Sequence, residues 1–456
     1  MNDIAVVICN FNKKEYLAKN IDSLKKQTMG EFDIFVVDNA STDQSADFVK
    51  ATYPEINVIC NEENLGGTGG FNTGIRAVIK YPYRYIILLD NDIVLKEDCI
   101  ETLYEDMESN PNIGIMGAKI LKMDYPDIIQ EFAPVVNYST MTFELSMGGE
   151  KDRENLPHFT DCDYVPACAL IARRDVVDKI GCMPDENFIY YDDIVWGVRC
   201  HRAGYRVVAD SKAVVWHKGG AVINPTSFAS YYLNRNKNRF FMTYKSTEGN
   251  GDASPQEICE RVDFILKDMF EGIYACEYKK LDNLARSRFE GFTDALEGKL
   301  GKTEPYKIRK VVLPEDRFDV AVNNSKTIKL YMNGLWECTR RIANHVNLQW
   351  GSSVKLILVD DKYAGDKMLG IDILACESAP RDSECNLVLQ VCRHIYELEI
   401  SGFDHCYIDG WRNVILNEKD FDNYKAYAHG FRVFKLCFEE KIRAAMREIG
   451  GDYKNA

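Results

Sequence analysis

The sequence predicts an α/β fold, in which a mostly parallel sheet carries helices on both faces and is followed by a helical segment and a second, smaller α/β domain. Short apolar runs alternate with amphipathic helical patterns through residues 1–125, as in parallel sheets. A similar alternation returns near the C-terminal end, and 456 residues are enough for two or three separate cores. We therefore expect domains over residues 1–247, 248–325 and 326–456.

The composition is that of a globular, acidic protein. Apolar residues make up 46% of the chain and charged residues 28%, and the formal net charge of −14 argues against nucleic acid as a partner. The 15 cysteines include no Cys-x-x-Cys pair, so we expect reduced thiols in the cytoplasm rather than a disulfide or zinc framework. No apolar run approaches the roughly 18–20 residues that span a bilayer, and the first residues lack the basic region of a secretion signal. At most, we expect a peripheral contact with the inner face of the membrane.

Four strands and four helices are predicted in the first 125 residues. Apolar runs of strand length end in polar residues, and the segments between them carry apolar residues at helical spacing. The predicted strands are Ile4–Cys9, Asp33–Asp38, Asn57–Cys60 and Tyr85–Asp90, and the predicted helices are Lys14–Gln27, Ser45–Thr52, Gly70–Lys80 and Cys99–Ser109. Ligands of such sheets lie outside the carboxyl ends of the strands, so we expect the site at that edge.

The middle of the chain has a mixed pattern. Its predicted elements are short strands within residues 126–185, including Cys162–Arg173, a helix within Asn187–Tyr205, a strand over Val207–His217 and a helix over Tyr231–Lys245. The apolar side chains of the last helix favour core packing, with contact to a membrane as the alternative. The Gly-rich and polar stretch Glu248–Ser254 predicts a boundary, after which residues 255–300 are predicted to be helical and residues 301–325 irregular.

The C-terminal region repeats the strand and helix pattern without a recognisable motif. The predicted strands are Ile328–Met332, Val354–Asp360, Leu369–Cys376, Asn386–Val391 and Cys406–Ile408, and the predicted helices are Leu335–Val346 and Lys425–Ile449. Asp360 and Asp361, which follow a strand, are the one hint of a site. We therefore expect a docking or oligomerisation role here rather than a second active site, and a homo-oligomer stays open.

Polar or glycine-rich segments follow each of the first four predicted strands. They are Asn10-Phe11-Asn12, Asp38-Asn39-Ala40-Ser41-Thr42-Asp43, Asn64-Leu65-Gly66-Gly67-Thr68-Gly69-Gly70-Phe71-Asn72 and Asp90-Asn91-Asp92. Because the carboxyl ends of parallel strands meet at one edge of a sheet, these segments predict a single crevice. Their convergence is stronger evidence for a site than any one of them.

Asp90 and Asp92 stand two residues apart at the end of an apolar strand. Both carboxylates could hold one Mg²⁺ or Mn²⁺, and an ion held there would bind a diphosphate. The alternative is an ordinary turn or helix cap after a strand. His217, at the end of a later strand, is by itself more typical of a structural hydrogen bond, but because an ion at Asp92 needs a further oxygen or nitrogen ligand, metal binding becomes the better interpretation of His217.

The glycines of residues 66–70 invite comparison with dinucleotide-binding oxidoreductases. This loop follows the third strand rather than the first and lacks the usual third glycine of that fingerprint. Asp90 does stand about 20 residues further on, as the fingerprint requires, so its presence does not discriminate. The second carboxylate at Asp92 does discriminate, as do the distant segments around Asp192, Asp193 and His217.

Asp192 and Asp193 open the helix predicted within Asn187–Tyr205. Adjacent helical residues point about 100° apart, so one acid can face the crevice while the other caps the helix or contacts a substrate. A carboxylate beside a bound sugar could take a proton from an acceptor hydroxyl. The alternative is that both acids are N-terminal caps favoured by the helix dipole.

Taken together in order and spacing, these segments resemble the inverting glycosyltransferases of family 2, which have the A-type nucleotide-sugar transferase fold. The resemblance runs from residue 3 to about residue 245 and is nearest the galactofuranosyltransferase and rhamnosyltransferase branch. It depends on the four polar segments and on Tyr190-Tyr191-Asp192-Asp193-Ile194-Val195-Trp196-Gly197-Val198-Arg199, Trp216-His217 and Tyr231-Tyr232-Leu233-Asn234-Arg235-Asn236.

The resemblance implies metal-dependent transfer of a sugar, with inversion, from a nucleotide-diphospho-sugar to a hydroxyl of a glycan or lipid-linked acceptor in cell-surface polysaccharide synthesis. The donor would be UDP-galactofuranose, dTDP-rhamnose or a UDP-hexose, and the cofactor Mn²⁺ or Mg²⁺. Asp193 would be the general base, Asp192 its acceptor-positioning neighbour and Trp196 a further acceptor contact. The metal ligands would be Asp90, Asp92 and His217.

The resemblance also implies a donor site. Phe11 and Asn12 would border the base of the nucleotide, Asp38 would accept from the pyrimidine N–H, and Arg235 would stabilise the departing diphosphate. Glycines would let the backbone approach the donor sugar and diphosphate. The remaining donor-binding residues would be Asn64, Gly66, Gly67, Gly69, Gly70, Asp90 and Asn91.

Two other classes of protein stay open. A sugar nucleotidyltransferase would use the same acids, but it usually has a glycine-rich loop with a basic residue directly after the first strand, where this chain has Asn10-Phe11-Asn12-Lys13. A non-catalytic nucleotide-sugar-binding protein would be favoured by loss of the acids, which are all present. The Asp-x-Asp motif has Asn91 in its middle, which lowers the local charge but keeps both flanking carboxylates.

Overall fold

The computed structural model describes residues 2–144, 147–153, 155–219, 226–244, 255–312, 316–393, 395, 398, 402–410 and 412–452. The chain separates into two compact units, the first comprising Met1–Phe264, Ser287–Arg309 and Ile442–Ala456, and the second Ile265–Arg286 and Lys310–Lys441. No helix in the part of the chain that the structure describes is long and apolar enough to cross a membrane. The boundary expected at Glu248–Ser254 lies outside the described residues, so the division into three domains stays a prediction.

Strands and helices alternate in the first unit as far as its fourth strand, which is followed by a group of mostly short strands and four further helices. The strands are β1 (Ile4–Asn10), β2 (Phe32–Asp38), β3 (Asn57–Cys60), β4 (Tyr85–Asp90), β5 (Ile93–Leu95), β6 (Ile113–Lys122), β7 (Tyr125–Glu131), β8 (Val135–Asn137), β9 (Thr142–Glu144), β10 (Phe159–Asp161), β11 (Ala169–Arg173) and β12 (Arg206–His217). The helices are α1 (Lys14–Leu24), α2 (Ser45–Thr52), α3 (Gly66–Val78), α4 (Cys99–Ser109), α5 (Arg174–Ile180), α6 (Asp192–Arg202) and α7 (Ser227–Thr243).

Among the described residues, ten strands form one sheet in the order β10-β12-β6-β11-β4-β1-β2-β3, with β5 paired to β12 and β7 to β6. Strands β1 to β4 run parallel, as do β6 and β12, whereas β11 is antiparallel to β4 and β6. The expected fold class, an α/β domain with a mostly parallel sheet, is confirmed. Strands β2 and β3 extend the sheet on one side of β1, whereas β4 lies on the other side of β1. The strand order therefore switches direction between β1 and β4, and a ligand crevice is expected at that point.

Side chains alternate across this sheet and fill two cores. In β1, Ile4, Val6 and Ile8 pack on one face with α1, α2 and α4. Ala5 and Val7 pack on the other face with α3, α5 and α6. All five side chains are fully buried, as is typical of a central parallel strand. Helices therefore cover both faces of the sheet, as predicted.

The rest of the chain contains a second sheet and several helices. The helices are α8 (Pro255–Tyr278), α9 (Asp282–Leu296), α10 (Arg317–Asn323), α11 (Trp336–Trp350) and α12 (Glu418–Asp452), and the strands are β13 (Thr327–Tyr331), β14 (Lys355–Val359), β15 (Lys367–Met368), β16 (Ile371–Leu374), β17 (Leu387–Val391), β18 (Tyr407–Ile408) and β19 (Val414–Ile415). In the second unit seven described strands form a sheet in the order β15-β16-β14-β13-β17-β18-β19, with β13 parallel to β14 and β17. This unit contains the second, smaller α/β sheet that the sequence predicts.

Some local predictions are wrong. Helix α3 begins at Gly66 rather than four residues later, because the glycines themselves take helical positions. The stretch Cys162–Arg173 is a strand only from Ala169 onward. Part of the segment expected to be irregular, residues 301–325, folds into α10. Strand β6, ten residues long and almost entirely buried, is missing from the prediction, because two glycines and a lysine interrupt its apolar pattern.

The aromatic and basic helix predicted over Tyr231–Lys245 is α7. Tyr231 and Tyr232 are 1% exposed and Phe241 is fully buried, so the apolar side of α7 packs in the core, as the composition favours. Lys245 lies outside the described residues. Contact of this protein with a membrane stays a prediction.

Candidate active site

The predicted metal ligands meet at the ends of β4 and β12. Strand β5 pairs antiparallel with β12 so that Ile93 lies opposite His217, which brings the imidazole next to the turn after β4. The Nε2 atom of His217 lies 3.2 Å from Oδ1 of Asp92 and 3.8 Å from Oδ2 of Asp90. One ligand atom from each of these three residues lies within 4.8 Å of the other two. The structure thus brings together the three residues that the sequence predicts as ligands.

The donor set of this cluster fits a divalent cation. Asp92 is 2% exposed. Although burial alone would raise its pKa, the hydrogen bond with His217 and the charges of His217 and Lys13 lower the pKa of Asp92 to about 2, so the group is a carboxylate at neutral pH. Burial raises the pKa of Asp90 to about 6, with His217 opposing this shift and Asp92 adding to it. Carboxylate oxygens and an imidazole nitrogen are ligands that proteins offer to divalent ions.

Lys13 and Gln130 complete the cluster. The Nζ atom of Lys13 donates to Oδ2 of Asp92. The side-chain amide of Gln130 lies 2.8 Å, through Nε2, from Nδ1 of His217. Histidines that bind metals usually donate their second ring N–H to a neighbouring oxygen. With its amide turned so that Oε1 faces Nδ1, Gln130 would fix that tautomer and leave Nε2 free for an ion.

Two carboxylates begin α6, as expected. The Oγ1 hydroxyl of Thr68 donates to Oδ2 of Asp192 over 2.8 Å, which ties the first turn of α6 to the first turn of α3. Oδ1 of Asp193 accepts from the N–H of Ile194 over 2.8 Å, and its Oδ2 accepts from the N–H of Ala167 over 3.3 Å. Asp193 therefore accepts the amide of the residue that follows it in α6 and directs its other oxygen toward the residues before β11.

A dipeptide, Ala167 and Cys168, connects Asp193 to the metal cluster. The N–H of Ala167 donates to Asp193, and the carbonyl of Cys168 accepts from the N–H of Asp90 over 3.0 Å. Two residues of backbone span at most about 7 Å, so the Asp193 carboxylate lies within roughly 13 Å of the Asp90 nitrogen. Burial and then the charges of Asp90, Glu131, Asp193 and Asp92 raise the pKa of the Cys168 thiol. The two groups therefore lie at the same edge of the sheet.

Asp193 lies among other acids. Burial, followed by the charges of Asp192 and Glu131, raises the pKa of Asp193 well above its usual range. A carboxylate with a raised pKa is a better proton acceptor near neutral pH. Burial also raises the pKa of Glu131 to about 7, and the Tyr164 hydroxyl donates to its Oε1 over 3.3 Å. The end of β7 thus supplies Gln130 to the metal cluster and Glu131 to the surroundings of Asp193.

The segment that leads into α6, residues 187–191, has an unusual backbone. Phe188, Tyr190 and Tyr191 have φ angles of 65°, 65° and 67°. Residues other than glycine occupy this left-handed region at a cost of about 1–3 kcal/mol each unless their surroundings fix them. Nδ2 of Asn236 donates to three carbonyls of the segment over 2.7–3.1 Å. Helix α7 therefore holds this segment in place.

Arg235 holds the same segment, which corrects its predicted role. The side chain is 1% exposed. Its guanidinium donates over 2.8 Å to the carbonyl of Asn187, over 2.6 Å to the carbonyl of Gly301 and over 2.9 Å to Oδ1 of Asn236. These bonds engage all three guanidinium nitrogens, so the predicted contact with a departing diphosphate is not supported. Arg235 and Asn236 are positioning residues for the start of α6.

Trp196 also lies elsewhere than the prediction requires. Its ring is 1% exposed within the core between the sheet and α3, α5 and α6. Its Nε1 donates to the carbonyl of Gly181 over 2.8 Å. A buried indole with a backbone partner stabilises the helix that carries Asp192 and Asp193, and the predicted contact of Trp196 with an acceptor is not supported.

The residues predicted to bind the nucleotide lie side by side after β1 and β2. Asn10 is opposite Asp38 in the parallel register and donates from Nδ2 to its Oδ1 over 3.0 Å. Asp38 is 4% exposed, and its Oδ2 accepts from the N–H of Ser41 over 3.0 Å. Phe11 is 41% exposed and Asn12 has a left-handed φ of 51°. An exposed ring beside a buried carboxylate fits a base-binding surface, and these roles stay predictions.

Asn91 and Asn64 join this network. Nδ2 of Asn91 donates to Oδ1 of Asn10 over 2.9 Å. Oδ1 of Asn64 accepts from Nδ2 of Asn39 over 3.0 Å and from the N–H of Gly66 over 2.8 Å. Side chains from the four polar segments are therefore connected by hydrogen bonds at one edge of the sheet, as the sequence predicts.

The glycines of α3 pack against the protein itself. Gly66 has a φ of +77°, and a Cβ there would collide with the carbonyl of Phe188. A Cβ on Gly70 would collide with Sγ of Cys9. The shortest contacts of an added Cβ would be 3.7 Å to Ile189 at Gly67 and 2.5 Å to Leu65 at Gly69. At Gly66 and Gly70 the close approach expected of these glycines therefore serves the packing of α3 against β1 and the residue 187–191 segment.

Sequence reasoning missed several residues of the site, namely Lys13, Thr68, Gln130, Glu131 and Asn236. Lys13 directly follows the polar segment at residues 10–12, Thr68 lies inside the glycine-rich segment and Asn236 lies inside the segment at residues 231–236. The positions of these three residues in the sequence could therefore have indicated a role in the site. Gln130 and Glu131 lie in the stretch with a mixed pattern, where nothing in the sequence distinguishes them from surface residues.

Residues 5–181 match the family model described as Glycosyl transferase family 2. Glycosyltransferase GlyG of Streptococcus pneumoniae is 33% identical over 117 residues, which are 25% of this chain and 38% of that protein. Galactofuranosyltransferase GlfT2 of Mycobacterium tuberculosis is 26% identical over 174 residues, which are 35% of this chain and 27% of that protein. TarS residues 1–349 of S. aureus, a solved structure, has 15% identity and a TM-score of 0.41 over 65% of this chain and 81% of that chain. The chain spans about a third to a half of the length of the first curated relatives that it matches.

Proposed function

Since residues 5–181 carry a glycosyl transferase family 2 domain, we propose that this protein is a metal-dependent enzyme that transfers a sugar, with inversion, from a nucleotide-diphospho-sugar to a hydroxyl of a glycan or lipid-linked acceptor. The proposed context is cell-surface polysaccharide synthesis. The proposed donors are UDP-galactofuranose, dTDP-rhamnose and a UDP-hexose. The relative named as a galactofuranosyltransferase supports the first of these donors.

The observation that carries this proposal is the convergence of two kinds of carboxylate at one sheet edge. Asp92 is charged, buried and in contact with His217, whereas Asp193 has a raised pKa and lies at the start of a helix. A pair of acids whose environments move their pKa values in opposite directions is typical of an active site with an electrostatic and a proton-transfer role. Their connection through Ala167 and Cys168 supports one site rather than two.

Each group then has a defined part in the transfer. A divalent ion held by Asp90, Asp92 and His217 would supply positive charge to the leaving nucleoside diphosphate, and the imidazole favours Mn²⁺ over Mg²⁺. Asp193 takes the proton of the acceptor hydroxyl as that oxygen attacks the anomeric carbon. Lys13, which donates to Asp92, would be the nearest basic side chain to such an ion and is the proposed contact for a phosphate oxygen. Inversion requires a single displacement and no covalent intermediate.

We propose a cytoplasmic location for this protein, on the side of the membrane where a lipid-linked acceptor would be reached by peripheral contact. The cysteines that the structure describes are free thiols, which supports a reducing compartment. The absence of nucleic acid among the proposed partners follows from the net charge of −14.

The donor is identified by screening the full chain with Mn²⁺ against a panel of nucleotide-sugars. We expect one of them to raise the thermal midpoint, because a ligand at 100 times its Kd adds about 2.7 kcal/mol to the free energy of unfolding. We also expect slow hydrolysis of that donor, with release of the nucleoside diphosphate. Binding without any hydrolysis or transfer would instead indicate a binding protein, and formation of a nucleotide-sugar from a sugar phosphate would indicate a nucleotidyltransferase.

The roles of Arg235 and Asn236 give a second test. Arg235→Gln and Asn236→Ala are expected to lower turnover by on the order of 10²-fold while donor affinity stays near the wild-type value, because a displacement of reacting groups by about 1 Å can have that effect. Steady-state turnover and calorimetric donor binding separate this outcome from loss of a diphosphate contact, which would weaken donor binding. Arg174→Gln, which removes a partly exposed arginine paired with Asp178 at 2.8 Å, should behave as wild type.

A further inference from the structure

A second cluster of carboxylates and imidazole lies away from the candidate active site. Asp106 near the end of α4, His158 before β10 and Asp210 in β12 each offer one ligand atom within 4.8 Å of the others. Nε2 of His158 lies 2.8 Å from Oδ2 of Asp106 and 3.7 Å from Oδ1 of Asp210. Along β12, Asp210 and His217 are separated by roughly 20 Å, so the two clusters cannot share an ion.

The backbone fixes two members of this cluster. Asp210 is fully buried, and its Oδ1 accepts from the N–H of Lys212 over 2.7 Å and from the N–H of Ala213 over 3.2 Å. These amides belong to a bulge, at which the register of β12 against β6 shifts. In the same bulge the N–H of Ser211 donates to the carbonyl of His158 over 3.0 Å. Backbone hydrogen bonds of the bulge therefore fix the carboxylate of Asp210 and the main chain of His158.

The second oxygen of this buried carboxylate has no partner. Oδ2 of Asp210 makes no hydrogen bond to any residue that the structure describes. The carboxyl group of Asp106 lies within hydrogen-bonding reach of Asp210. Two carboxylates cannot satisfy each other without a proton or a cation between them. In the described part of the chain, His158 is the one basic side chain that pairs with either acid.

We propose that Asp106, His158 and Asp210 form a second divalent cation site, for zinc or an ion of the same class. Zinc binds histidine nitrogen and carboxylate oxygen at about 2.0–2.2 Å, so the ligand atoms of a tetrahedral site lie about 3.4 Å apart. The distances from Nε2 of His158, 2.8 Å to Oδ2 of Asp106 and 3.7 Å to Oδ1 of Asp210, lie on either side of that value. An imidazole ligand favours zinc over Mg²⁺ or Ca²⁺. The His158 side chain is 37% exposed, which gives an ion access from solvent and leaves room for water as a fourth ligand.

An ion bound at this second site connects three elements of the first unit. Asp106 belongs to α4, His158 to the segment before β10 and Asp210 to the bulge of β12. The imidazole is already oriented, because its ring stacks on Phe159 with centroids 4.0 Å apart. Since β12 ends at His217, the second ion stabilises the strand that carries a ligand of the first.

The test measures zinc binding to the full chain after exposed thiols such as Cys60 have been alkylated. A zinc indicator reports the stoichiometry and affinity for the wild type and for His158→Gln. The matched control is His345→Gln, which removes an imidazole paired at 2.7 Å with a single carboxylate, that of Asp319. We expect His158→Gln to lose one zinc equivalent or at least ~10-fold in affinity, because even residues behind the ligands contribute that much. The His345→Gln variant should bind zinc as the wild type does.

Two further variants make the result decisive. Asp106→Asn removes a second ligand and is expected to lose zinc binding as His158→Gln does. If one of these two variants does not fold, the other still tests the zinc site. Asp92→Asn disables the candidate active site and should keep the second ion, which makes the outcome independent of the proposed function. Unchanged stoichiometry and affinity in both His158→Gln and Asp106→Asn would overturn the proposal and leave a proton shared by the two carboxyl groups.

Discussion

An Asp193→Asn variant is expected to lose at least ~10²-fold in turnover while it binds the donor almost as tightly as the wild type. An amide cannot take the proton of an acceptor hydroxyl, and general-base catalysis contributes about 10²–10⁴-fold. The shape of the side chain is kept, and asparagine retains an oxygen that can accept from Ala167 or Ile194. Most of the proposed donor-binding residues follow β1, β2, β3 and β4, whereas Asp193 lies in the first turn of α6. Steady-state rates at saturating donor and acceptor, together with calorimetric donor binding, measure both quantities.

The control for this variant is Asp178→Asn. Asp178 lies on α5, its side chain is 51% exposed and it pairs with Arg174, so its neutralisation should leave turnover and donor binding unchanged. Turnover at the wild-type level in Asp193→Asn would remove the general-base assignment. A parallel loss of donor binding would show that the start of α6 has moved and that the variant does not report on proton transfer.

An Asp92→Asn variant is expected to bind Mn²⁺ more weakly and to lose at least ~10²-fold in turnover, and excess chelator should abolish donor binding or turnover of the wild type. The buried carboxylate of Asp92 is charged at neutral pH, and its pairing with His217 and Lys13 depends on that charge. Charge placed against a leaving diphosphate lowers the barrier by several kcal/mol, which corresponds to such a fold-change. Electron paramagnetic resonance of added Mn²⁺ gives the affinity directly.

Asp124→Asn provides the comparison for Asp92→Asn. Asp124 also pairs with a lysine, Lys218, but its side chain is 53% exposed, and exposed pairs contribute little. Its loss should change neither Mn²⁺ binding nor turnover. Full activity of the wild type in excess chelator would remove Asp92 and His217 as metal ligands.

The elements that could be read from the sequence are those in which local pattern and final burial agree. Asn57–Cys60, Tyr85–Asp90, Ser45–Thr52 and Cys99–Ser109 are predicted with both ends correct. Strand β6 is not predicted, because its pattern contains Gly114, Gly117 and Lys119. Lys119 is 5% exposed and pairs with Asp152 at 2.8 Å. The burial of this lysine in a strand therefore depends on a partner that is distant in the sequence and that the local pattern does not indicate.

The same distinction applies to the candidate site. Asp90, Asp92 and His217 could be placed together because each ends or directly follows a strand of one sheet. Arg235 could not be placed, because a guanidinium binds a phosphate oxygen and a backbone carbonyl oxygen with the same donors, and only the fold decides which it meets. Gln130 has no signal in the sequence, because an amide that faces a metal-binding imidazole has the same local pattern as one that faces water.

The hydrogen bonds of Ala167 and Cys168 limit the distance between Asp193 and the end of β4. Because these residues are consecutive, the gap between the Asp193 carboxylate and the end of β4 is limited by two residues of backbone and the two hydrogen bonds that they make. In the proposed transfer, an acceptor molecule would therefore have to fit a spacing that the backbone itself imposes. If related proteins use different acceptors, the differences would then have to lie in the surfaces around Asp193 and the end of β4, because the distance between these two groups is fixed.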